Sequence, residues 1–286
     1  MKVPGVARTG YAWRKLSAAK WEDVWWDRLS EFRDRLAIVA LAGARSIRVA
    51  VYAITAAEAV RLVGNFGGQA RAVKQTRRAA PPADRPPIKV RGRLVVVATE
   101  RERTLATQEN EGRSLLLIPA GMAFGTGDHA TTATCLRLLA DVSAGLAGEP
   151  WEMIDLGCGS GILALAARRL GARRSLAGDF DRDAVRTTKE NAQLNGIDRV
   201  TVQKLDVLRW EPRRTWQVVA ANMYSGILVE IAPKLAAVTA PGGRLIFSGI
   251  LRAQEREVVG ALKAQGFRVE RLVRKGKWVT GLAGKA

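Results

Sequence analysis

The residues best able to do chemistry sit in a few short stretches. In Met153-Ile154-Asp155-Leu156-Gly157-Cys158-Gly159-Ser160-Gly161-Ile162 an apolar run meets an acid, then glycines at alternate positions, then a helical pattern. That order predicts a buried strand, a tight turn and a helix start, the opening unit of a doubly wound sheet. Glycine supplies positive φ and lets a ligand touch the backbone. The first helix amides, with the positive end of the dipole behind them, are expected to face that ligand. The spacing departs from the dinucleotide fingerprint, which places two residues before its last glycine. Asp155 suits an ammonium better than a pyrophosphate. Asp179 closes the next predicted strand, residues 175–179, where an acid meets a ribose diol.

Acid, glycines and second acid together resemble the S-adenosylmethionine site of class I methyltransferases, with Asp155, Gly157, Gly159 and Asp179 on the cofactor. A second stretch, Pro119-Ala120-Gly121-Met122-Ala123-Phe124-Gly125-Thr126-Gly127-Asp128-His129-Ala130-Thr131-Thr132, ends at a helical run over 133–139. Thr131 or Thr132 is expected to cap that helix and to offer donors to a ligand carboxylate. His129, the only histidine, fits a catalytic base or a polar brace of the loop.

These two stretches, with Asn222 further on, resemble the PrmA family, bacterial methyltransferases of the eleventh protein of the large ribosomal subunit. The resemblance runs over residues 88–267, and Ala123-Phe124-Gly125-Thr126-Gly127 with His129 and Thr131-Thr132 is its most discriminating part. It implies cofactor contacts at Thr132, Gly157, Asp179 and Asn222. Asp128 and Ala130 stand where many members carry threonine and proline, and Met223-Tyr224 replaces two aliphatics. The first 75 residues, which present the protein substrate in the family, match loosely.

Such a site needs a sheet to hold it. Strands are expected over 90–98, 115–119, 200–205, 216–221 and 244–249, with a closing hairpin from 268–273 and 277–282. Helices are expected over 100–112, 181–195, 226–240 despite Pro233, and 252–265. Asp206 follows one strand and is placed to approach an adenine amine. Asn222 follows another, at the carboxyl edge where ligands bind. Its amide oxygen can orient an acceptor amine, or it only contacts cofactor, while Tyr224 walls the pocket. Upstream, residues 1–12 read as a loose tail and a helix is expected from Ser17 on the spacing of Trp21, Val24, Trp25, Leu29 and Phe32. Residues 36–41 and 46–54 read as a hairpin about 42–44, Thr55 as the cap of a helix over 56–63, and 69–74 as a strand. The expected layout is α/β: a small substrate-recognition domain over 1–75, a Pro/Arg-rich linker and strand over 76–98, and a catalytic domain over 99–286, its class I, Rossmann-like sheet mostly parallel with an antiparallel hairpin at its end.

At 286 residues, 48% hydrophobic and 26% charged, the chain can bury a substantial core. No apolar run approaches the roughly 20 residues of a membrane span and no signal-peptide core follows the first basic residues, so a soluble, cytoplasmic protein is expected. Two cysteines and one histidine make neither a disulfide framework nor a zinc site. The formal charge of +19 is concentrated early: residues 1–95 carry 19 Lys and Arg against 7 Asp and Glu. Such a field attracts acidic partners or nucleic acid. The reading that follows is a protein N-methyltransferase using S-adenosylmethionine on lysine or N-terminal amines of a ribosomal protein, with ribosomal RNA contact in view. The alternatives are an RNA methyltransferase and a non-catalytic nucleic-acid-binding module with a relict cofactor fold.

Overall fold

The computed structural model describes residues 9–18, 21, 24–25, 28–32, 35–40, 46–74, 87–109, 112–119 and 129–286. The chain divides into two compact units, residues 1–79 and 80–286.

In the first unit β1 (Thr9–Ala18), β2 (Leu36–Ala40), β3 (Ser46–Ile54) and β4 (Gln69–Lys74) form an antiparallel sheet in the order β2-β3-β1-β4. The helix Ala56–Phe66 covers one face, its start fixed by a reciprocal cap in which Thr55 accepts from Glu58 N–H and Glu58 accepts from Thr55 N–H. Trp13, Trp25, Leu29, Phe32 and Leu62 fill the space beneath. Two expectations fail here. Residues 9–12 belong to a strand, because alternation sends Tyr11 and Trp13 to the core and Ala12 and Arg14 to the other face. Ser17 lies in that same strand and accepts a hydrogen bond from Trp25 Nε1 at 2.8 Å, so no helix starts there; residues 24–25 and 28 are helical, but Trp21 is half exposed. The helix after Thr55 also runs through Gly64 to Phe66. The expected turn at 42–44 and most of the Pro/Arg-rich stretch fall outside the described residues.

The second unit begins with β5 (Ile88–Val90), β6 (Leu94–Val97) and β7 (Ser114–Leu117), a small sheet in that order, with the helix Glu100–Glu109 between its last two strands. The single strand expected over 90–98 is thus a hairpin turned by residues 91–93. Asn195 latches β7: its Oδ1 accepts from Leu117 N–H and its Nδ2 donates to Leu117 O, both at 2.7 Å.

The main sheet has seven strands in the order β10-β9-β8-β11-β12-β14-β13. Strands β8 (Glu152–Leu156), β9 (Arg174–Asp179), β10 (Val200–Lys204), β11 (Trp216–Asn222) and β12 (Thr239–Leu251) run parallel, while β13 (Phe267–Lys275) and β14 (Trp278–Lys285) close the edge antiparallel. Strand β8 is buried at every position, as a strand covered on both faces must be. Met153, Val218, Ala220 and Ile246 pack on the face of helices Ala130–Gly145 and Ile162–Arg169; Ile154, Leu156, Val219 and Ala221 pack on the opposite face.

Three details differ from expectation. The helix expected over 226–240 is two helices, Ser225–Glu230 and Ala232–Val238, since Pro233 cannot donate backward and sits in the first turn of the second. Strand β12 begins at Thr239, with a register shift over its Pro-Gly-Gly segment. A short 3-10 turn, Arg252–Gln254, precedes the helix Glu255–Ala264. At the amino end of β8 the buried Glu152 is held by Arg173 and Arg214; burial raises its pKa, and the two guanidiniums outweigh that and hold it below the usual value. Among the described residues no helix is long and apolar enough to cross a membrane.

Candidate active site

The turn after β8 takes the form its glycines require. Gly157, Gly159 and Gly161 have φ of 71°, 55° and 78°, a region costly for any residue with a Cβ. The helix Ile162–Arg169 follows at once. The turn is fastened from three sides. Gly178 O accepts from Gly157 N–H (2.8 Å) and Cys158 N–H (3.1 Å). Asp179 Oδ2 accepts from Gly159 N–H at 2.9 Å. From the helix Arg182–Leu194, Thr188 Oγ1 donates to Gly159 O at 3.0 Å and Asn191 Nδ2 to Ser160 O at 2.8 Å. The amides of Gly157, Cys158 and Gly159 therefore serve the turn itself. What the turn presents is a small, rigid surface, bordered at Gly157 by the Met223 side chain: a Cβ on Gly157 would lie 3.2 Å from Met223 Cγ.

Two acids flank this turn. Asp155 is 1% exposed, and its Oδ2 has no hydrogen-bond partner among the described residues. Burial, with the Asp179 charge adding to it, pushes its carboxyl up to about 7. Asp179 ends β9, and burial raises its pKa as well. Its Oδ1 accepts from Asp181 N–H at 3.0 Å, and each oxygen keeps acceptor capacity beyond its backbone bond. The Ala164 N–H hydrogen-bonds the Asp155 carboxylate and opposes the rise in its pKa, but a buried carboxylate oxygen left without a partner is costly and calls for a cation or a donor. Thr132, on the helix over the same face of the sheet, is also buried, and its Oγ1 has no partner among the described residues.

Asn222 ends β11 on the face that carries Val218 and Ala220. Its Nδ2 donates to Thr131 Oγ1 at 3.4 Å. Thr131 Oγ1 lies 2.7 Å from His129 Nδ1, which also accepts from Thr131 N–H at 3.4 Å. Because Nδ1 is an acceptor for the amide, the Thr131 hydroxyl donates to it as well, and its oxygen is left to accept from Asn222. Donors then run one way, Asn222 to Thr131 to His129, so the amide nitrogen of Asn222 faces Thr131 and its oxygen faces elsewhere. Burial, then the Lys277 charge, lowers the pKa of His129 and keeps the ring neutral at pH 7. The helix cap is thus His129 rather than Thr131 or Thr132, and the helix begins at Ala130. Trp278 packs edge-on to the ring at 4.9 Å.

Asp206 stands two residues beyond β10, whose Lys204 pairs with Asp179. It is half exposed and accepts from Leu208 N–H at 3.1 Å, so part of its capacity goes to a turn. Tyr224 begins the helix Ser225–Glu230 and is 48% exposed. Phe180, not singled out in the sequence, is 69% exposed directly after Asp179; an aromatic beside the ribose-type acid was the available signal. Thr188 and Asn191 were also missed, since polar residues within an amphipathic helix look like its solvated face. The glycine-rich residues 120–128, including Phe124, Gly125, Thr126, Gly127 and Asp128, lie outside the described residues. Cys158 is 6% exposed and its thiol pKa is raised by burial, which fits a small packing residue.

Residues 80–285 match the family model described as ribosomal protein L11 methyltransferase (PrmA). The chain is similar to the ribosomal protein L11 methyltransferase of Chromohalobacter salexigens, 42% identical over 200 residues, covering 70% of this chain and 63% of that protein. It is 34% identical to that of Halalkalibacterium halodurans over 197 residues, 69% of this chain and 60% of that one. The match thus spans about three-fifths of the length of these curated relatives. Among solved structures, the ribosomal protein L11 methylase of Lactobacillus delbrueckii subsp. bulgaricus superposes with a TM-score of 0.59 at 27% identity, covering 71% of this chain and 100% of that one.

Proposed function

Because the chain belongs to the ribosomal protein L11 methyltransferase (PrmA) family, we propose that it transfers methyl groups from S-adenosylmethionine to amines of ribosomal protein L11, in the cytoplasm. The observation that carries the reading is a pair of buried polar atoms without a partner among the described residues, Asp155 Oδ2 and Thr132 Oγ1, on the face of the sheet that carries Asn222. They match the two ends of an amino-acid zwitterion: a carboxylate for an ammonium, a hydroxyl for a carboxylate. Asp179, fixed by Gly159 and Asp181, would take a ribose diol. Gly157 and Gly159 would lie against the ligand, and Asp206 and Phe180 would meet an adenine at its amine and its face.

When bound, the cofactor supplies a sulfonium-linked methyl group open to in-line displacement. The protein's part is positioning and exclusion of water. A lysine acceptor must arrive neutral, which at pH 7 costs about 4.6 kcal/mol from a reference pKa near 10.4. Asn222 Oδ1 would hold that amine by accepting one of its hydrogens, and Tyr224 would wall the approach. The proton leaves to solvent, so no general base is required. His129 acts here as a positioning residue, through Thr131.

The test is labelled methyl transfer into purified L11, whole ribosomes and ribosomal RNA, followed by mass spectrometry of the product. Label on lysine or the amino terminus of L11 is expected. Label in RNA alone would overturn the choice of acceptor, and failure to bind S-adenosylmethionine would overturn the site.

A further inference from the structure

We propose that the open face of the β2-β3-β1-β4 sheet binds single-stranded RNA. This goes beyond the methyl-transfer reading and stands independently of which acceptor is modified.

The helix Ala56–Phe66 and the Trp13 cluster cover one face of this sheet. The other face carries Ala12, Arg14 and Leu16 from β1, Arg48, Ala50 and Tyr52 from β3, and Gln69 and Arg71 from β4. Arg14, Leu16, Arg48, Tyr52, Gln69 and Arg71 are exposed, while Ala12 and Ala50 are 4% and 2% exposed and form a flat floor. A groove of about 710 Å³ is lined on this face by Ala12, Arg14, Leu16, Arg48, Gln69 and Arg71, and none of its described lining residues is acidic.

The pairing sets the cations in a line. Arg71 lies opposite Ala12, Arg14 between Gln69 and Ala50, and Arg48 opposite Leu16. Four residues of strand at about 3.3 Å each, and two strand spacings of about 4.8 Å, put Arg71 and Arg48 roughly 16 Å apart on a diagonal, with Arg14 midway. None of the three forms an ion pair among the described residues. Guanidinium forks match phosphate oxygens better than an ammonium does.

Nucleic acid is favoured over an acidic peptide by the stacking surface. The Arg14 guanidinium lies over the Tyr52 ring, 5.7 Å from its centre, so two exposed planar groups form one layered stacking surface on this face of the sheet. Bases bind sheets by stacking on such groups while their phosphates meet cations. The charge excess over residues 1–95 steers a polyanion to this unit.

The test measures binding of a fluorescent single-stranded oligoribonucleotide to the full chain by anisotropy across a salt series. Each lost phosphate contact lowers the log–log salt slope by about 0.7 for single strands, so R14Q/R48Q/R71Q should lower it by about 2, near a hundredfold in affinity between about 1 M and 0.1 M salt. Tyr52→Ala should weaken binding about tenfold with the slope unchanged, because stacking releases no counterions. A control triple, R213Q/R256Q/R268Q, removes the same charge from exposed sites of the second unit and should change affinity less than about threefold. Equal loss in both triples would overturn the proposal, reducing the effect to net charge. Polyglutamate binding the unmodified protein as tightly as RNA does would also overturn it, in favour of an acidic protein partner.

Discussion

Replacing Gly161 by alanine tests the rigid turn directly. Gly161 has φ of 78°, where an L-residue pays roughly 1–2 kcal/mol. Its new Cβ would also fall on Thr188, 2.9 Å from Oγ1 and 3.0 Å from Cβ, with Cγ2 nearer still. Overpacking of that kind costs about 1–3 kcal/mol, against which the stiffer unfolded chain returns about 0.4–1 kcal/mol. The expected net loss is about 2–4 kcal/mol. For a unit of this size that lowers the melting temperature by roughly 5–15 °C. Gly196→Ala separates the terms, since Gly196 has φ of 57° with open space around it, and about 1 kcal/mol is expected there. Thr188→Ser removes Cγ2 and keeps the hydroxyl that holds Gly159 O. A double-mutant cycle between Gly161→Ala and Thr188→Ser, read by calorimetric unfolding, should give a favourable coupling of about 1–2 kcal/mol. Equal destabilisation by Gly161→Ala and Gly196→Ala, or zero coupling, would refute the argument that packing of the turn against Thr188 is what demands glycine.

Other expectations concern the ligand side. Asp179→Ala should weaken S-adenosylmethionine binding severely while leaving the fold intact; near-native affinity by calorimetry would remove its ribose role. Asn222→Ala and Thr131→Val should both lower kcat more than they raise the cofactor Kd, and Thr131→Ser should restore most of the rate; a loss confined to Kd would reject amine orientation. Asp155 has its folded pKa raised to about 7 from 3.8. Its contribution to stability is therefore full below about pH 4 and lost as pH climbs through 7. An ammonium seated against it would favour the ionised form, so cofactor binding at pH 6 should release a proton, seen as a dependence of binding heat on buffer, and Asp155→Asn should abolish that release. No buffer dependence in the unmodified protein would place the ammonium elsewhere. Cys135, pushed up to about 12 by burial, and Cys158 should resist alkylation in the native protein; rapid labelling of either would show that the core around the turn opens.

The sequence was most readable where a local rule and the tertiary structure agree. Asp155-Leu156-Gly157 announces a strand running into a turn because burial on both faces and positive φ each leave a mark on residue type. Thr55 and Asp181 are caps both by type and in fact. Strand β1 was hidden because its two faces are not apolar against polar: Ala12, almost fully buried, alternates with Trp13 and Arg14, and the following tryptophans carry a helical spacing strong enough to draw Ser17 into the wrong element. His129 displaced the two threonines as cap because a ring nitrogen can accept from a backbone amide, a role that propensity assigns to small side chains. The side chains fastening the glycine turn, Thr188 and Asn191, act 27 and 30 residues downstream of Gly161. Nothing local distinguishes them from ordinary helix surface.

The Asn195 latch has a consequence for how the molecule behaves in company. Strand β7 is the border of its small sheet, and a border normally offers its peptide groups to whatever extended chain drifts past. One carboxamide, giving one hydrogen and taking another, imitates the missing neighbour at Leu117 and closes that part of the border with a single side chain. Aspartate at this position could take but not give, and leucine could do neither. Either change would leave a buried peptide group of Leu117 unpaired, at a cost of about 1–3 kcal/mol, and would loosen the small sheet from the helix that closes its border.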